Sequence, residues 1–206
     1  MKNFKVVDQE TKKEYWISRS LAVTCAVVAF KPGGDLYFLM EKRGSGCPDN
    51  VGKWVFPCGY LDYSETLKHG AAREVYEETG LTIDKKNLHF CGVDDGPSAN
   101  RQNVTFRFID IEDYWSLSEK LESGVINGDS LKRGGEEGEI DTLELKSYDW
   151  INKNPGECAF HHSELAKTIV ENIDFIRTDH FYKDSNTDFL KGNDTDPDKK
   201  TWPKIL

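Results

Sequence analysis

The feature that most constrains this chain is the run Leu21-Ala-Val-Thr-Cys-Ala-Val-Val-Ala-Phe30, closed by Pro32-Gly33-Gly34. It is rich in β-branched residues and bounded by turn formers, which describes a buried central strand. It is also far shorter than the ~20 apolar residues that a membrane-spanning helix needs. Leu36 to Met40 returns after the turn as a hairpin partner.

The remaining segments build outward from that strand. Phe4–Asp8 and Tyr15–Ile17 read as an N-terminal hairpin, and Trp54–Phe56 as a short strand stopped by Pro57. Ser64 is a suitable N-cap for a helix over Glu65–Thr79, with Leu67, Ala71 and Val75 as its apolar stripe and Gly80 as its stop. Gly70 inside that helix costs ~1 kcal/mol of propensity, which close packing against a sheet would explain. Leu88–Val93, Asn103–Ile109 and Leu143–Trp150 read as strands, and Ser163–Arg177 as a second amphipathic helix. Mixed strands with well-separated helices predict an α+β fold, an α-β-α sandwich on a mixed sheet. The expected organisation is one domain over residues 1–183, with an insertion at about 113–138 and a polar tail over 184–206.

Composition excludes several classes. The net charge of −9 argues against a general nucleic-acid binder and means that an anionic substrate needs cations or local basic groups. Five cysteines with no Cys-x-x-Cys pair fit neither a zinc ribbon nor a secreted disulfide framework. Together with an N-terminus lacking a signal-like apolar stretch, they predict a cytoplasmic protein with no membrane association.

The chemistry concentrates between Gly59 and Leu81. Glu74, Glu77 and Glu78 stand at i, i+3 and i+4, so three carboxylates share one helical face and repel each other by a few tenths of a kcal/mol per pair. Alone, that pattern describes a solvated acidic face. It equally describes half of a magnesium site, because hard divalent cations take a few carboxylates plus substrate phosphates.

The stretch resembles the signature of the Nudix hydrolase family. Gly59, Glu65, Arg73, Glu74, Val75, Glu77, Glu78, Gly80 and Leu81 fill every specified position. The resemblance implies the family's α-β-α sandwich and the hydrolysis of a diphosphate linkage in a nucleotide-type substrate. It implies that Glu74, Glu77 and Glu78 hold Mg2+ (or Mn2+), with a further oxygen from the Cys58 backbone carbonyl. Many family members carry glycine there, so Cys58 departs from the pattern. Arg73 and Glu65 resemble residues that orient the ligating carboxylates. The proton acceptor lies either in the helix, at Glu74 or Glu77, or on a later loop. Glu139 is the candidate on that loop, as base or outer ligand, with Glu137 beside it. Family members are often homodimers, so a homodimer is an expectation here too.

Substrate choice rests on fewer residues. Some ADP-ribose hydrolases of the family place a proline about fifteen or sixteen residues past the signature, and Pro97 stands sixteen past Leu81. Arg43 and Arg101, with Lys42, are candidates to neutralise phosphates. The first expectation is therefore a nucleoside diphosphate linked to a moiety X, ADP-ribose-like. The alternatives are a nucleoside triphosphate pyrophosphohydrolase of the sanitising type, or a non-catalytic nucleotide sensor. His161-His162 reads as a helix-entry feature, since no partner stands nearby at ligand spacing.

Overall fold

A computed structural model describes residues 4–96 and 103–173. Strands β1 (Phe4–Val7) and β2 (Glu14–Ile17) form a separate antiparallel hairpin, as the sequence predicts. The main sheet is seven-stranded. It contains β3 (Ser20–Phe30), β4 (Leu36–Arg43), β5 (Trp54–Val55), β6 (Cys58–Tyr60), β7 (His89–Asp94), β8 (Asn103–Asp113) and β9 (Ile140–Ser147). β3 is central: it runs parallel to β8 along its whole length and antiparallel to β4 and β6.

Alternation along β3 divides the core in two. Val23, Cys25, Val27 and Ala29 face one layer, packing with Ala71 and Val75 of α1 (Leu67–Thr79) and Leu117 of α2 (Tyr114–Glu122). Ala26 and Val28 face the other, packing with Ile151 of α3 (Tyr148–Lys153) and with Leu165 and Ile169 of α4 (His162–Glu171). Fully burying such a side chain contributes about 1.5–3 kcal/mol. The result is the predicted α-β-α sandwich.

Several local expectations are corrected. The helix begins at Leu67 with Thr66 as N-cap, not after Ser64. The reason is that Glu65 is engaged elsewhere: its carboxylate accepts the Asp62 N–H and the Arg73 guanidinium, which keeps residues 61–66 a loop. Gly70 packs against that loop rather than the sheet, because a Cβ there would sit 2.9 Å from both Leu61 and Glu65. The last strand ends at Ser147, whose hydroxyl accepts the Trp150 N–H at 3.2 Å and turns the chain into α3. Trp150 is thus helical. The second helix starts at His162, and Ile176 and Arg177 lie outside the described residues, as do the tail and the chain beyond residue 173.

The segment 113–138 contributes to the core. Its Leu117 and Ile126 are buried in the core, and a 3-10 turn, Ser130–Arg133, packs on α1. There Arg133 donates to the carbonyls of Glu77 (3.1 Å) and Glu78 (3.3 Å), satisfying part of the helix C-terminus that Gly80 closes with φ 77°.

On the α1 side of β8, Asp110 is buried and its Oδ2 has no hydrogen-bond partner. Burial, with Glu112 and Asp84 nearby, pushes its carboxyl up to about 7. The folded state therefore holds a proton that the unfolded chain, with an ordinary aspartate near ~3.9, releases. Stability contributed by this proton is present at low pH and is lost as pH rises from about 4 to about 7, at up to roughly 1.4 kcal/mol per pH unit. Urea denaturation at pH 5 and pH 8 should show Asp110→Asn flattening this loss, with the variant gaining on the parent at pH 8. Parallel pH profiles for the two proteins would refute it.

Candidate active site

Strand β6 and helix α1 bring the acidic residues together. Glu74 and Glu78 turn inward, 8% and 3% exposed, while Glu77 lies at the rim. Glu78 accepts the Cys58 N–H at 2.8 Å, fixing the helix to β6. Gly59 opposes Glu74, and a Cβ at that position would collide with the Glu74 carboxylate. The glycine is there for space, since its φ is not positive. Cys58 also lies outside the positive-φ residues, so replacing the family's usual glycine costs no backbone strain.

Arg73 ties the carboxylates together. Its guanidinium donates to Glu65 Oε1 at 2.7 Å, Glu77 Oε2 at 2.8 Å and the Tyr60 carbonyl at 2.9 Å, and pairs with Glu74 Oε1 at 2.9 Å. These partners, Glu65 foremost, raise the guanidinium's pKa further. Desolvation works the opposite way on the acids. Glu74 is pushed up to about 7, mainly by burial and against the pull of Arg73. Glu78 is pushed well above the carboxylate range by burial, then by Glu41, Glu74 and Glu139.

Glu139, the loop residue singled out in the sequence, stands in the electrostatic reach of Glu41, Glu74 and Glu78. Its Oε2 accepts the Glu136 N–H at 3.2 Å. Glu137 is exposed, and its backbone lies against Gly46 instead. The loop is seated by paired backbone bonds, Gly44 N–H to the Glu139 carbonyl at 2.7 Å and Gly46 N–H to the Gly138 carbonyl at 2.9 Å.

Other expected residues fall differently. Arg43 is engaged with Asp49, through its carbonyl at 3.0 Å and its Oδ1 at 3.1 Å, and lies over the Phe160 ring. Pro97 and Arg101 lie outside the described residues. His162 takes the Phe56 N–H on Nδ1 at 2.8 Å and stacks on that ring, which supports the helix-entry reading. All five cysteines are unpaired. Among the described residues no helix is long and apolar enough to cross a membrane.

Sequence reasoning missed Glu41, which β4 places 1% exposed beside Glu78, and it missed Arg133. It also missed a cleft of about 780 Å³ lined by Leu21, Leu61, Phe90, Phe106, Phe108 and Glu65. Glu65 joins this apolar cleft to Arg73, and through Arg73 to Glu74 and Glu77.

The NUDIX domain family model matches residues 20–167, which span the sheet, α1 and the Glu139 loop. The chain belongs to the Nudix family. An oxidized purine nucleoside triphosphate hydrolase of Danio rerio is 32% identical over 129 residues, 63% of this Nudix chain and 66% of the relative. The NAD-capped RNA hydrolase NudC of Haemophilus influenzae is 31% identical over 101 residues, 49% of this chain and 35% of the relative. The chain thus spans just under two thirds of the first relative and about a third of the second. The NUDIX domain of Shewanella oneidensis NrtR, solved with ADP ribose, shares the fold at TM-score 0.54 and 16% identity. That match covers 81% of this chain and 93% of that one.

The site's chemistry suits a hard divalent cation. The donors are all oxygens, the buried titratable groups Glu41, Glu74 and Glu78 are carboxyls, and Glu41 Oε2 is buried with no hydrogen-bond partner. Among the described residues no three His, Cys, Asp or Glu side chains already stand at ligand spacing. Two of the expected ligands, Glu74 and Glu77, instead lean on Arg73.

Proposed function

We propose that this Nudix chain is a divalent-cation-dependent hydrolase that cleaves a diphosphate linkage in a nucleoside diphosphate linked to a second moiety. The observation that carries the reading is the burial of Glu74 and Glu78 on the inner face of α1, within electrostatic reach of Glu139. Burying carboxylates without enough positive charge is costly, and Arg73 alone supplies too little for this many acids. A functional cation explains why the fold retains them.

In this reading Glu74, Glu77, Glu78 and the Cys58 carbonyl hold Mg2+ or Mn2+. When bound, the cation offsets phosphate charge and acidifies water. Arg73 and Glu65 keep the carboxylates oriented, support of a kind worth 10–100-fold in metal affinity. Glu139 takes the proton from the water that attacks phosphorus, while the bridging oxygen leaves with its electron pair. The aromatic cleft beside Glu65 is suited to a planar base, with its phosphates directed past Arg73 toward the acids. A sensor without catalysis is disfavoured because all the signature glutamates are present.

ADP-ribose is the first substrate to test. A second reading, pyrophosphate release from purine nucleoside triphosphates, is favoured by the 32% identical relative and by the cleft's aromatic lining. Incubating the protein with ADP-ribose and with ordinary and oxidised purine triphosphates, with Mg2+ and then with EDTA, separates them. AMP release from ADP-ribose supports the first, and pyrophosphate release supports the second. Either activity should fall at least a hundredfold in EDTA. Nucleotide binding without any product at saturating Mg2+ or Mn2+ would refute the hydrolase.

A further inference from the structure

The geometry points to Glu41, on strand β4, as an additional ligand that reaches the site's divalent cation from the sheet, opposite the helix-borne acids. This inference rests on the metal-dependent reading above.

Position comes from the strand. Glu41 follows Leu39 on the face of β4 that looks toward α1, with Val55 and Leu143 as its cross-strand neighbours. It is 1% exposed, and its Oε2 has no hydrogen-bond partner. The acids around it are Glu78, which its side chain meets directly, with Glu139 and Glu74 close by. Carboxylates from three separate elements, α1, β4 and the loop before β9, therefore lie within electrostatic reach of Glu41, although no three of them stand at ligand spacing among the described residues.

Arg43 favours the charged form of Glu41, but among the described residues no cation forms an ion pair with it. Arg43 shares its face of β4 but is held by Asp49 and Phe160. Arg73 is divided among Glu65, Glu74, Glu77 and the Tyr60 carbonyl. A buried carboxylate oxygen with no donor is costly unless a positive charge arrives. A hard dication supplies that charge and accepts oxygen ligands from several elements at once. The competing account is that Glu41 and Glu78 merely share a proton, in which case Glu41 contributes nothing to cation affinity.

Mn2+ titration followed by the electron paramagnetic resonance of the free ion reads binding without reference to catalysis. It is applied to the full chain, to Glu41→Gln and to Glu78→Gln, with thermal unfolding in EDTA and in Mn2+ alongside. The parent should bind Mn2+, and each variant should bind at least tenfold more weakly. Glu41→Gln should melt no lower than the parent in EDTA, yet lose most of the parent's gain in Tm on adding Mn2+. Parent-like affinity in Glu41→Gln beside weak binding in Glu78→Gln overturns the inference and leaves the hydrolase reading standing. A parent that binds no Mn2+ at millimolar concentration overturns both. Should Glu41→Gln fail to fold, Glu41→Asp keeps the charge and shortens its reach, so it too should lose at least tenfold, and unchanged affinity refutes the ligand.

Discussion

Replacing Glu78 by glutamine is expected to lower turnover by a hundredfold or more while leaving the cation-free protein at least as stable as the parent. The two effects have one cause. Glu78 is buried with Glu41, Glu74 and Glu139 around it, so desolvation and repulsion both disfavour its charged form until a cation arrives. Glutamine keeps the volume and retains an oxygen for the Cys58 N–H, which now bonds to Glu78 Oε2 at 2.8 Å. What disappears is the charge. Loss of a direct ligand should exceed the 10–100-fold seen when only a ligand's supporting partner is removed. Steady-state kinetics at saturating Mg2+, with melting curves in EDTA, provide the check. A variant that turns over like the parent would remove Glu78 from the site, and one that melts far lower would show its role to be structural.

The second large effect is expected at Gly59, which touches no substrate in this reading. A methyl group there would occupy the space of the Glu74 carboxylate, so Gly59→Ala must displace either β6 or the acid. Overpacking of this kind costs roughly 1–3 kcal/mol. In a protein of 206 residues each kcal/mol shifts Tm by about 2–4 °C. Moving Glu74 also breaks its 2.9 Å pairing with Arg73, so kcat/KM should fall at least tenfold beyond any loss of folded protein. Activity per folded molecule, measured well below Tm, distinguishes the two contributions. Parental kinetics in the Gly59→Ala variant would mean that Glu74 has room to spare.

The sequence made the helix-borne acids of the candidate site legible and left the acid on the sheet obscure. Glu74, Glu77 and Glu78 are adjacent in the chain, and helical spacing alone puts them on one side of α1. Glu139 was accessible because the family resemblance implies an acid on a later loop, and that loop falls just ahead of a recognisable strand. Glu41 was not. It ends an apolar run, Leu36 to Met40, where a glutamate looks like the point at which a strand emerges into water. The signal was present in the alternation, since Leu39 and Glu41 share parity and Leu39 is core. Arg133 was missed because its bonds to α1 reach backbone carbonyls 55 and 56 positions earlier in the chain, and its near partner is Asn127 in the same loop. The misplaced N-cap has a similar origin. Ser64 is the better cap in isolation and Thr66 an acceptable one, and the choice is made by the engagement of Glu65 with Arg73, a contact between loop and helix. The extension of the last strand through Trp150 failed for the reason that Ser147 caps a new helix, a competition that apolar patterning does not register.

The two glycine-bearing loops differ in what they tolerate, and this bears on how the protein can be handled. At Gly33 and Gly34 a side chain would meet open space, so that turn is limited by backbone conformation alone and is a natural place to splice in a reporter or tag. Gly44 and Gly46 press directly on the main chain at residues 137–138, leaving no room for even a methyl group. Added bulk there would pry the Glu139 segment outward while the sandwich stayed intact. Such a protein would be soluble and well folded, and short of one acid.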